Sequence, residues 1–404
     1  MRGYLFIFAL AITLSAASIS GQTNIGQYED EAPLGSWNLW GPYSSRSLGM
    51  GQVIFALPYD SSAGLHNPAA LPFVHNSHIA LNLFRNSASL YKYSLVNTGV
   101  FGTRAPATAA FYTIGYVGGA YRKGGWAFAL NYGELENYLR PSVEYSNGVS
   151  FHCRYQGSLD YLNLAVARRL TERIALGIAI NRVWGERFQE VEYSFYSERV
   201  MNRSIERMNQ TLSGHFVIAG LFFKVNDKLN MAVAWRSSYT RRAKSSFYRE
   251  FSNRFIIIPS WAESDTDEYR IPSVIGIGVG YRVNSRLTLG MDGTFFGWKK
   301  YEVIYFGEPT QRPFTSRVKV NLGAEYLLPL RMGQRRLTFP LRIGYYYDPQ
   351  PPVSPETNYH NLTLGCGVKL WRLNIDAAFT YGFENGSGHH LRRSMVNIST
   401  LFHL

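Results

Sequence analysis

Residues 274–296 read VIGIGVGYRVNSRLTLGMDGTFF. Ile275, Ile277, Val279 and Tyr281 alternate with Gly276, Gly278 and Gly280. After the short turn Asn284-Ser285-Arg286, Leu287, Leu289, Met291 and Phe295 alternate with Thr288, Gly290, Asp292 and Thr294. A period of two is the pattern of a strand with one greasy face. Two such runs joined by a three-residue turn predict a hairpin. The same rhythm recurs in 360–370, with Leu362, Leu364, Cys366, Val368 and Leu370 on one face, and in 372–382.

Outward from this hairpin, fourteen strand centres are predicted: 78–84, 108–120, 125–133, 157–168, 174–184, 213–224, 229–237, 272–282, 287–298, 316–327, 337–347, 360–370, 372–382 and 394–404. The connections alternate in length. Arg122-Lys123-Gly124, Leu170-Thr171-Glu172-Arg173, Asn226-Asp227-Lys228 and Asn284-Ser285-Arg286 are short. The spans 185–212, 238–271 and 299–315 read as long loops. A polar second face also suits a soluble sandwich. Persistence over some 330 residues with this alternation of turns and loops favours an all-β, antiparallel transmembrane barrel of about 14 strands. The last strand puts Val396, Ile398, Phe402 and Leu404 on one face and ends there, as barrel assembly signals do. The barrel assembly machinery is therefore an expected partner.

Composition agrees. Of 404 residues, 15% are aromatic, 17% are charged and 37 are glycine. Charged residues are scarcer than the roughly 25% of soluble domains. Mean hydropathy is −0.15, and past the N-terminus no uncharged apolar run is long enough for a helical span, so a membrane reading requires strands. Met1-Arg2, the apolar run 4–17 and the small residues 18–21 form a signal peptide pattern, assigned to 1–20. Export argues against nucleic acid as the partner for a net charge of +13. Lipopolysaccharide phosphates, anionic ligands or plain solvation remain open.

Residues 21–75 break the hairpin rhythm with Pro33, Pro42, Pro58, Pro68 and Pro72. Fifty structureless residues need a role, and a plug inside the barrel (76–404) supplies one. Within it, Leu48-Gly49-Met50-Gly51 and Asn67-Pro68-Ala69 stand out, and Asn67 reads as the organiser of a turn.

Residues 46–51 and 60–71, with 271–298, 341–348 and 351–354, resemble the FadL/TodX-type outer-membrane transporters of long-chain fatty acids and other hydrophobic compounds. The Asn-Pro-Ala segment is also similar to that of PorV-type barrels, which serve as secretion shuttles or attachment partners. The first resemblance implies passive uptake past a plug in the bacterial outer membrane, with sideways exit where the third strand kinks. Gly133, at that strand's end, is the candidate kink; a plain strand end is the alternative. The second resemblance implies a surface-protein partner.

Two further readings concern the loops. Met201, Ile205, Met208 and Leu212 recur at helical spacing after a possible Ser197 cap, one apolar stripe. Phe255, Ile257 and Trp261 belong to the next loop. Together they form either a capture groove for hydrophobic molecules or a lid of two loops packed on each other. Lys369, Arg46 and Arg342 are candidates for a ligand carboxylate or for ion pairs with plug acids such as Asp60. No His-Glu-x-x-His or Gly-x-Ser-x-Gly motif occurs among nine histidines, and His389-His390 reads as a solvated pair. The sequence thus calls for no enzyme, no metal and no cofactor. Cys153 and Cys366 are not expected to pair.

Overall fold

The structure, a computed structural model, describes residues 43–404 apart from 91–106, 140–142, 147–148, 198–199, 312, 333–334, 354–355 and 387–391. The signal segment, residues 21–42 and His389-His390 lie outside the described residues.

Among the described residues, nineteen strands join in one antiparallel sheet. They are β1 (His78–Leu90), β2 (Ala107–Lys123), β3 (Trp126–Asn137), β4 (Val143–Ser146), β5 (Val149–Arg169), β6 (Ile174–Ser197) and β7 (Val200–Lys224). There follow β8 (Leu229–Arg236), β9 (Tyr239–Asn253), β10 (Ile257–Ile271), β11 (Val274–Arg282), β12 (Leu287–Phe296), β13 (Glu302–Tyr305) and β14 (Glu308–Gln311). The last five are β15 (Arg317–Met332), β16 (Arg335–Pro349), β17 (Asn358–Leu370), β18 (Leu373–Asn385) and β19 (Arg392–His403). The wall has fourteen staves. β8 and β9 both pair with β7 and form one interrupted stave. β10 and β11, β3 and β4, β12 and β13, and β14 and β15 divide in the same way. The sheet closes when β19 pairs with β1, from His78↔His403 to Ser89↔Arg392. Closure leaves the staves no free edge through the ring.

The period-two pattern sorts the faces as expected. Ile277, Ile343 and Leu364 are more than half exposed, on the outer face, while glycines, asparagines and acids turn inward. Free Cys366 shares that outer face.

The loops differ from expectation. The β6–β7 ladder runs unbroken from Ile174↔Phe223 to Ser197↔Val200. β9 and β10 form a second long hairpin, paired out to Ile257↔Ser252. The two hairpins join edge to edge through β7 and β9. The spans 185–212 and 238–271 are therefore mostly strand, and 299–315 holds a 3-10 turn at Trp298–Lys300 and the β13–β14 hairpin. A crossing takes about 9–11 residues, so β6 and β7 rise well beyond the barrel as a curved sheet, here called the wing.

Candidate functional site

Residues 43–74 are buried against the inward face of the wall. A short helix, Ser45–Gly49, packs on β16–β19, and a 3-10 helix, Pro68–Phe73, packs on β3 and β5–β7, across the ring. An irregular backbone buried this way needs partners for its amides and carbonyls. Inward side chains of the wall supply them. Asn131 Nδ2 donates to the Ser61 carbonyl (2.9 Å), Asn163 Nδ2 to Gly64 (3.2 Å) and Asn321 Nδ2 to Gly51 (2.6 Å). Asp292 accepts from the amides of Ile54 (2.6 Å) and Phe55 (3.2 Å). Wall glycines let the segment approach. A methyl group on Gly344 would fall 2.1 Å from the Gly51 amide, and one on Gly276 would enter the Phe55 ring.

Every residue of the two plug motifs is placed here. Leu48, Gly49, Met50, Gly51, Asn67, Pro68 and Ala69 are all buried. Gly51 takes a φ of +67° against the wall, a conformation suited to glycine. Asn67 organises a turn as expected: its Oδ1 accepts from the Ala69 amide (3.1 Å), and its Nδ2 reaches the Phe55 carbonyl (3.2 Å).

Two of the three basic candidates, Arg46 and Arg342, are ion-paired, though not to Asp60. Arg46 bonds Glu325 (2.9 Å), and Arg342 bonds both Glu325 (2.7 Å) and Asp376 (2.6 Å). Tyr59 of the inner segment donates to Asp376 (2.5 Å). Asp60 instead accepts from Tyr116 (2.6 Å). The partners of Arg46 sit on distant strands, which is why a local reading pointed to the nearer acid. Lys369 lies near the short-turn end of β17, not in this chain of bonds.

Beyond the inner segment the lumen is lined by apolar and polar side chains together. The arc from β3 to β12 contributes Leu135, Leu159, Val183, Leu212, Phe216 and Phe296, all buried, and among them Glu136, Gln189, Gln210 and Asp267. The arc from β15 round to β1 contributes Lys319, Glu325, Arg342, Asp376, Asn397 and Asn82, with Tyr346 and Leu401. Two arginines also stand on the first arc. Arg241 bonds Glu136 (2.7 Å) and the Tyr239 hydroxyl (2.9 Å). The Arg236 guanidinium lies 4.1 Å from the Phe216 ring centre and 5.1 Å from that of Tyr239.

The wall is irregular beside this arc. The β2–β3 ladder stops at Val117↔Tyr132, although both strands continue past it. β2 slips register against β1 at Gly115, and β3 slips against β5 between Glu134 and Glu136. Gly133 stands at the parting, where a methyl group would fall 2.0 Å from the Gly115 carbonyl oxygen. The Thr113 and Glu134 side chains approach each other across the seam. The candidate kink is thus a double irregularity, one bulge on each side of an unladdered stretch.

The expected loop groove is not assembled as drawn. Residues 201–212 are part of β7, paired on both edges, and not a helix. In a strand the stripe splits: Met201 and Ile205 share one face, Met208 and Leu212 the other. Met201 is exposed, Ile205 is buried within the wing and Leu212 faces the lumen. Phe255 (73% exposed), Ile257 and Trp261 (70%) project from the tip of β9–β10. The edge-to-edge pairing of the hairpins favours packing over a groove. Sequence reading missed the inward asparagines and glycines that seat the inner segment. Their signal was present as the small or polar positions of each alternating run, on many strands at once.

A family model, BamG, matches residues 34–386. Among solved structures, a Pseudomonas aeruginosa FadL homologue is similar at a TM-score of 0.68 and 13% identity, covering 89% of this chain and 98% of its own. The P. putida toluene transporter TodX is similar at 0.65 and 14%, covering 91% and 100%. The Ralstonia pickettii toluene transporter TbuX is similar at 0.61 and 16%, covering 91% and 98%. At these identities the likeness is one of fold. A search of curated proteins finds no match.

Proposed function

This chain belongs to the BamG family and is an outer-membrane β-barrel, and from that premise we propose that it conducts hydrophobic compounds passively across the outer membrane, long-chain fatty acids among them. The observation that carries the reading is the unladdered seam between β2 and β3 beside the inward apolar residues Leu135, Leu159 and Val183. An apolar chain gains about 25 cal/mol per Å² on leaving water, so a greasy arc attracts it where an aqueous pore would not. Arg236 and Arg241 stand together about Tyr239 on that arc, and in this reading they receive the carboxylate head. In this reading the plug, residues 21–75, closes the path until it shifts. The molecule then leaves sideways at Gly133, between β2 and β3, into the bilayer and avoids rehydration. The transport named for the toluene channels supports the substrate class by analogy of fold.

The test is uptake of a labelled long-chain fatty acid by cells whose only such channel is this barrel. Uptake well above cells with an empty vector is expected. Equal uptake, with the barrel folded in the membrane, would reject the reading.

A second reading rests on the wing. Phe255, Ile257 and Trp261 stand far beyond the bilayer, where lipid cannot cover them, and exposed apolar patches usually mark binding. They suit a protein at the cell surface, the attachment role of PorV-type barrels. The family's name is in keeping with a partner in the barrel assembly machinery.

A further inference from the structure

The strand ends opposite the wing close in short turns, the periplasmic end in an outer-membrane barrel. Residues 122–123, 168–173, 224–228, 282–286 and 369–372 hold eleven Lys or Arg and two acids, Glu172 and Asp227. The rest of the chain holds 30 Lys or Arg and 26 acids. Most of the chain's net positive charge therefore sits on one rim. Solvated turn charges would be mixed in sign, as they are elsewhere in this chain.

The rim is also aromatic. The Arg168 guanidinium lies 5.0 Å from the Trp126 ring centre, and that of Arg372 lies 4.9 Å from Trp371, which is 94% exposed. Basic side chains beside Trp and Tyr are the composition of a headgroup layer. Immediately above, the outer wall carries a groove of about 570 Å³ that includes Phe128, Leu130, Leu164, Val166, Ile178 and Ile180. Arg168 is at its foot, paired with Trp126 on β3 and Leu176 on β6, two residues below Val166 on the same face.

We propose that this rim binds the phosphates of anionic phospholipids in the periplasmic leaflet, with one acyl chain lying in the groove across β3, β5 and β6. The charge is complementary, and the groove is apolar where an acyl chain would run. Two features favour lipid over an acidic protein. The turns are too short to carry their cations far from the apolar belt. The cations also recur at five turns around the circumference, where lipid surrounds the barrel and a protein would meet one side. The inference does not depend on the transport reading.

The test uses the full protein purified in an uncharged detergent. Retention of phosphatidylglycerol is compared with that of phosphatidylcholine of the same acyl chains by native mass spectrometry. Each cation near an anionic surface adds roughly fivefold, so a preference of about tenfold or more for phosphatidylglycerol is expected. The variant carrying Lys123→Gln, Arg168→Gln, Arg173→Gln, Arg282→Gln and Arg286→Gln should fall toward parity while keeping the heat-resistant mobility of a folded barrel. A wing variant, Arg203→Gln with Arg207→Gln, should keep the preference. Equal retention of the two lipids by the wild type would overturn the proposal, as would an unchanged preference in the rim variant or an equal loss in the wing variant. Glycerol phosphate competing as well as the intact lipid would overturn the groove.

Discussion

Glu325 stands between Arg46 of the inner segment and Arg342 of the wall, and bonds both. Removing its charge strands Arg46 and leaves Arg342 with Asp376 alone, and breaking a buried pair on one side costs roughly 3–5 kcal/mol. Glu325→Gln should therefore lower the temperature at which the folded barrel converts to the unfolded mobility on gels. It should also expose residues 43–74 to protease. A wild-type melting temperature in this variant would show that the network does not hold the segment. Arg236 makes a different prediction. If its charge meets a carboxylate, Arg236→Gln should reduce fatty-acid uptake by roughly tenfold, the scale of a charged hydrogen bond. It should leave uptake of an uncharged hydrocarbon near wild type, and equal loss of both would remove the carboxylate role. At this scale the sequence was partly legible. Asn67 could be read as a turn organiser because its partners are two and twelve residues away. The partner of Arg46 is 279 residues away, and nothing local announces it.

The wing is held by pairs that cross its strands. Arg203 bonds Glu192 through two nitrogens (2.6 and 2.8 Å), and Arg207 bonds Glu190 (2.5 Å). The hydrogen bond from Arg203 holds the Glu192 carboxyl below its ordinary pKa. A depressed carboxylate stabilises the folded form above the unfolded value of about 4.3 and loses that contribution as the pH falls through the folded one. Glu206, raised by burial, works in the opposite sense when ionised. Limited proteolysis of the wing should therefore quicken at about pH 3 relative to neutral pH. Glu192→Gln should narrow the difference, and an unaltered difference would assign the acid response to other groups. The wing is also where the sequence misled. Met201, Ile205, Met208 and Leu212 do recur at helical spacing, but 201–212 has a strand on each side to pair with, and that pairing overrides the local period. Replacing the tip 254–261 with a short turn separates the two functional readings. Uptake should persist, while any surface partner that reads Phe255, Ile257 and Trp261 should be lost.

The whole molecule is a closed wall wrapped around its own N-terminal segment. All fourteen staves were legible because a strand exposed to lipid on one face must alternate strictly, and a one-residue slip would turn its greasy side inward. The stave count, the alternation of ends and closure by the last strand follow from that constraint. What alternation does not encode is where neighbouring strands part. The β2–β3 seam depends on bulges at Gly115 and Leu135, and a glycine in a strand marks such a place without saying which way the wall yields. The central claim is that hydrophobic molecules leave through this seam. Thr113→Cys with Glu134→Cys, in a Cys153→Ser, Cys366→Ser background, places two thiols across it. Labelled fatty-acid uptake measured with the pair oxidised and again after reduction tests the claim most directly: uptake should stop when the seam is bonded and return when the bond is reduced, whereas equal uptake in both states would contradict it.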